Sequence, residues 1–266
     1  MNRLKYSIFL ILFVSFIVMV LGPNQLLAEE KKETSFNIPS HVLNISKDNT
    51  FPNSTEDEEV IEPSELTKEL TDSLDIKIEN PVLIKMLNET TLNPSPIAFG
   101  YRGMVYLGRW PLNYESLETT INWEYQQVNK NELNNTSGSE PQEINYIQQE
   151  QKEIKGALTN KISKPSDVKK MMLLTAKEKT KLPLSYQTVI GKNTKKDNTY
   201  KVPSDKLAVL QSYAPAVNEK GQVTFGEVYV KLKGSDKSIA VKNVTKQGIG
   251  AWIPIQDHVS FSYKLK

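Results

Sequence analysis

The strongest constraint on the fold lies in the last third of the chain. Tyr186–Ile190, Leu207–Val217, Val223–Leu232, Ser238–Val241, Ala251–Ile255 and Val259–Leu265 are short segments rich in β-branched and aromatic residues, separated by Gly-bearing or polar turns. No helix of crossover length recurs between them, so parallel βαβ units are excluded and an antiparallel sheet is expected. Asn218-Glu219-Lys220-Gly221 reads as a hairpin loop, with the glycine at the left-handed position. Upstream, Ile97–Leu107 reads as a strand bent at Gly100 and Gly103, and Asn122–Val128 as a strand with Trp123, Tyr125 and Gln127 on one face. Asn131–Pro141 is rich in turn residues, and Ile144 and Tyr146 restart a period of two, which predicts a long hairpin over 121–158. The polar run 148–155 fits a helix equally well.

Helices are few. Pro63 and Ser64 open a short one ending near Leu70, and Asn80-Pro81 is a cap followed by proline for Val82–Leu87. Asp167–Lys179 carries the clearest helical period, with Val168, Met171, Met172, Thr175 and Ala176 on one stripe; Ser166 reads as its N-cap and Pro183 as its end. The expected class is therefore α+β: a mainly antiparallel β-sheet with a few short helices, after a cleavable signal peptide and a polar linker.

The signal is read from the first 28 residues. Arg3 and Lys5 precede an apolar run of 14 residues, Ile8–Leu21, and Gly22-Pro23 and Leu26-Leu27-Ala28 follow. A membrane-spanning helix needs about 20 apolar residues, so the run fits a signal better than an anchor. Cleavage after Ala28 leaves 238 residues, exported and extracytoplasmic; an uncleaved signal would tether them to the membrane. Residues 29–60 read as a flexible acidic linker ending in Glu56–Glu59, with Val42, Leu43 and Ile45 as local anchors, and 61–266 as a single globular domain.

There is no cysteine, which removes disulfides, thiolate nucleophiles and thiolate metal sites. The two histidines, His41 and His258, stand in no recognisable catalytic pattern. Ser166 and Lys169 share the S-x-x-K form of penicillin-recognising enzymes without its companion motifs. Glu56–Glu59 lacks the glycine-centred alternation of a calcium loop. No catalytic, metal or cofactor-binding set emerges, and no cofactor is expected.

Charge is segregated. Residues 29–79 carry 5 basic and 14 acidic side chains; 150–206 carry 14 basic and 6 acidic. Two readings stay open: separately solvated faces, or an acidic arm lying on a basic body. The candidate polyanion contacts are Lys164, Lys169, Lys170, Lys177, Lys179 and Lys181. The candidate aromatic surface is Trp110, Trp123 and Tyr125, drawn from a stretch that also holds Tyr101, Tyr106 and Tyr114. Expected partners are a wall polymer, an anionic lipid surface or another envelope protein. Export argues against nucleic acid. The leading function is a non-enzymatic binding or structural module of the envelope; the alternative is a secreted enzyme acting on cell-wall material.

Five stretches carry a resemblance: PSELTKEL (63–70), AFGYRGMVYLGRWPLNYES (98–116), KMMLLTAKEKTKLPLSYQTVIGK (170–192), APAVNEKG (214–221) and GIGAWIPIQDHVSF (248–261). In these the chain resembles the YfkD-like proteins of Gram-positive bacilli. The resemblance implies export and assigns no activity, so it supplies no catalytic residue.

Overall fold

Three long strands set the architecture. In the computed structural model, which describes residues 36–54, 60–91, 102–234 and 236–266, β8 (Leu207–Lys233) is the central strand. Along one side lies β2 (Arg102–Asn134), antiparallel from Arg102↔Lys233 to Asn134↔Leu207. Along the other lie β9 (Asp236–Pro254) and then β10 (His258–Leu265). Five register shifts interrupt the β2–β8 ladder, one of them beside Gly108 at φ 110. Such bulges bend and twist strands, which is how strands of this length wrap around more than one core. β1 (Val42–Asn44) extends the sheet beyond β10, and β5 (Ala157–Leu158) beyond β9. Two small antiparallel pairs complete the strands: β3 (Gln142–Ile147) with β7 (Lys195–Val202), and β4 (Lys152–Lys155) with β6 (Gln187–Ile190). The helices are α1 (Glu65–Thr71), α2 (Pro81–Asn88) and α3 (Pro165–Thr180). Among the described residues the fold is thus mostly antiparallel sheet with three short helices.

Three apolar clusters follow one another along β8. Ala208, Leu210 and Ala214 pack with Ile45, Tyr146, Ile154 and Phe261. Val217, Val223 and Phe225 pack under Val168, Met172 and Ala176 of α3. Val228 and Val230 pack under Leu70 of α1 and Leu83 and Leu87 of α2. Side chains alternate across a strand, so α3 covers the odd-numbered face of β8 in its middle, and α1 and α2 cover the even-numbered face at its far end. The odd-numbered face at that end carries Glu227, Tyr229, Lys231 and Lys233 and is open.

Asn80, fully buried, joins the helical layer to the sheet. Its Oδ1 accepts from the Val82 and Leu83 amides, and its Nδ2 donates to the Pro111 carbonyl and to Asp167 of α3. The capping expected at Ser64 is present, accepting from the Thr67 amide at 3.2 Å.

Several expectations give way. Residues 218–221 are not a turn: they run through the middle of β8, paired with Ser116–Thr120 on one side and Ile249–Trp252 on the other. The glycine serves close approach, since a methyl at Gly221 would meet the Tyr114 hydroxyl at 2.6 Å. The 121–158 hairpin is replaced by long-range pairing, because β2 reaches β8 and β3 reaches β7. The 148–155 run contributes β4 rather than helix. Lys164 (φ 48) caps α3 in place of Ser166, and Lys181 (φ 57) ends it before Pro183 is reached.

The linker reading changes over the part of it that is described, residues 36–54. One compact unit spans Asn37–Lys266, and it contains all three clusters, as an independently folding domain requires. Ile45 is fully buried, and Asn49 and Asn53 each donate to the Val189 carbonyl and to Asp257. The sequence beyond Ile45 is polar, but its amides satisfy backbone groups of β6, which composition does not reveal. The expected signal peptide at 1–28, the run Glu56–Glu59, and Ile97–Tyr101 with Gly100 lie outside the described residues.

Candidate functional site

The six expected lysines do not share a surface. Lys164 lays its ammonium 3.1 Å from the centre of the Trp110 ring, and Lys169 lies 5.0 Å from the Tyr186 ring. Lys179 donates to Ser116 Oγ at 2.6 Å. Those three turn toward the body. Lys170, Lys177 and Lys181 fall on the outer side of α3, where Lys181 is exposed and the other two are half-buried. The three aromatics separate as well. Trp110 binds the Leu107 carbonyl through Nε1, Trp123 packs against the middle cluster, and Tyr125 stacks on Trp252 with ring centres 5.0 Å apart. His258 is buried, its Nδ1–H donating to the Gln256 carbonyl at 2.7 Å. The neighbouring Asp257 carboxylate serves Asn49 and Asn53. Ser166 is exposed on the first turn of α3.

Beneath α3 lies a buried carboxylate, in a segment whose composition predicts a turn. Glu219 accepts from Tyr114 at 2.8 Å and from Thr119 at 2.6 Å. Ser116 lies 3.4 Å from Thr119, so a chain of donors runs from Lys179 through both hydroxyls to Glu219. Burial first, and then the Glu219 charge, push the Tyr114 hydroxyl well above its ordinary 10.0. Both carboxylate oxygens are engaged, and the arrangement ties the C-terminal end of α3 to the sheet.

The open face at the far end of β8 is different in kind. Register sets Arg102 opposite Lys233, Met104 opposite Lys231, Tyr106 opposite Tyr229, and Arg109 opposite Glu227. On the other flank, Asp236, Ser238, Ala240 and Lys242 oppose Lys233, Lys231, Tyr229 and Glu227. Directly opposed residues share a face, so five cations stand with two carboxylates on one surface. The Tyr106 and Tyr229 rings meet at 5.0 Å, and Lys242 sits 5.4 Å from the Tyr229 ring. Tyr229 and Asn243 both donate to Glu227 at 2.8 Å. Those hydrogen bonds hold its carboxyl below the usual range, so it stays charged and locally paired. Lys231 and Lys233, farther along the strand, are exposed. Arg102, Gly103, Met104, Lys231, Leu232 and Lys233 line a shallow cleft of about 510 Å³, with no acidic side chain among these described residues. The signal that could have found this face was the alternation Lys231-Leu232-Lys233 and Arg102-Gly103-Met104, read as two paired strands. Charge counting over 150–206 looked elsewhere.

Among the described residues, no helix is long and apolar enough to cross a membrane. The family model described as YfkD-like protein matches residues 39–266. An uncharacterised protein of Bacillus subtilis (strain 168), YfkD, is 53% identical over 230 residues, which is 86% of this chain and 87% of that protein. No solved structure matches. The match runs from before β1 to one residue past the end of β10, and by it the chain belongs to the YfkD-like protein family.

Proposed function

We propose that this is an exported protein of the cell envelope, a non-enzymatic binding module whose partner is polyanionic. The observation that carries the reading is the open end of the sheet. Three of its cations, Arg102, Lys231 and Lys233, line a cleft with no acidic residue among its described lining, on a face that none of the helices among the described residues covers. A cluster of one sign on a low-dielectric wall raises the local concentration of oppositely charged ligands. The positive amino-terminal residues and apolar run of the first 28 residues support export.

The test is retention of a chain of residues 29–266, which keeps the compact unit whole, on immobilised polyphosphate. Retention at low salt that fades as salt is raised is expected, because screening shortens the reach of exposed charges to about 8 Å at physiological ionic strength. Flow-through at low salt would sink the reading.

A further inference from the structure

We propose that the far end of the sheet docks on an anionic lipid surface, with lipid headgroups, rather than a soluble polymer, as its polyanion; the proposal rests on the polyanion reading above. Charge alone does not decide between the two, but the apolar residues among the cations do. Met104 is 45% exposed, Val105 50% and Tyr106 55%. Met104 and Tyr106 lie on the cationic face and Val105 on the opposite one, by the alternation of β2 and its register with β8. The end of the sheet therefore offers apolar side chains from both faces, beside Arg102, Lys231 and Lys233.

A hydrated polymer lying across one face would leave Val105 in water. An interface entered end-on takes all three apolar side chains, while the cations stay at headgroup level. Tyrosine suits that boundary, having an apolar ring and a polar tip. The long stems of lysine and arginine let their charges remain in the polar layer while the stems lie against apolar surface. The cleft between Arg102, Lys231 and Lys233 is open to a phosphate from above. Met104 also touches the Lys242 ammonium through its sulfur at 3.8 Å, which ties the apolar end to the cationic face behind it.

Vesicle sedimentation of residues 29–266 tests the proposal, comparing vesicles that mix anionic and zwitterionic lipid with vesicles of zwitterionic lipid alone. Binding to the anionic vesicles is expected. K231E/K233E should weaken it about tenfold or more, since each basic group near such a surface contributes roughly a factor of five. M104S/Y106S should also weaken vesicle binding while leaving binding to soluble polyphosphate unchanged. In Tyr106→Trp, the new indole should show blue-shifted emission on anionic vesicles. Unaltered circular dichroism shows that each variant has folded, and any variant that has not is replaced by Val105→Ser. If polyphosphate binds and vesicles do not, or if M104S/Y106S weakens both equally, the surface takes a polymer and the lipid proposal is overturned while the polyanion reading stands. If neither ligand binds, both fall.

Discussion

At the scale of single residues, the buried carboxylate is the sharpest feature. Glu219 is fully buried and holds two hydroxyl donors. Truncating one donor leaves the other in place, so Tyr114→Phe should cost about 1–2 kcal/mol in denaturant unfolding. Glu219→Ala should cost more, about 2–4 kcal/mol, because it leaves both hydroxyls unpaired and opens a void. Gly221→Ala should exceed the tyrosine variant, since the methyl collides with the Tyr114 ring and the Glu115 carbonyl. A Gly221→Ala protein as stable as the parent would show that this crossing is looser than described. The tyrosines also set an alkaline limit. Burial raises Tyr114 and Tyr146 above their ordinary 10.0. Folded, they keep their protons while the unfolded chain begins to lose them near that value. Stability is therefore full below about pH 10 and falls above it, as the unfolded state then binds fewer protons. Tyr146→Phe and Tyr114→Phe should each flatten the fall in stability measured by unfolding between pH 9 and 11 (roughly the window set by the unfolded value). An unchanged slope would contradict the assignment. None of this was legible in the sequence: Asn218-Glu219-Lys220-Gly221 has the composition of a turn, and only the pairing on both sides makes it strand.

Among the elements, those defined by local chemistry were readable and those defined by distant pairing were not. Ser64 and Asn80 cap α1 and α2 as their side chains dictate, and the apolar stripe of α3 placed that helix to within two residues at its start and one at its end. The strand regions are legible as well, but their partners are not. Short sequence separation favoured a 121–158 hairpin, whereas β2 finds its partner after the whole of α3 and the two small sheets. The N-terminal strap shows the same limit. Asp48 pairs with Lys196 at 2.7 Å, so part of the acidic arm does meet the basic segment, and β1 lengthens the sheet beyond β10. Limited proteolysis should spare residues 37–54, with Asp257→Ala exposing them, because that carboxylate oxygen receives both Asn49 and Asn53. Its loss should cost about 1–3 kcal/mol. Ready cleavage of the parent chain inside 42–53 would overturn this placement.

Across the whole molecule, the proposed polyanion binding rests on where folding puts charge, not on where the sequence concentrates it. The lysine-rich stretch 150–206 is divided by the fold: Lys164 and Lys169 lie over aromatic rings, and Lys179 is spent on Ser116. The surface that remains is assembled from β2, β8 and β9, and its directly paired residues Arg102 and Lys233 lie 131 positions apart in the chain, a long-range pairing that folding has to close. A direct measurement of this claim is affinity for soluble polyphosphate at low salt in two charge-reversed pairs of residues 29–266. K231E/K242E alters the open sheet face, and K177E/K181E alters the outer side of α3 by the same net charge. The account predicts a loss of about tenfold or more for the sheet pair and less than about threefold for the helix pair, the residue of long-range attraction. Equal losses, or a larger loss for the helix pair, would contradict it.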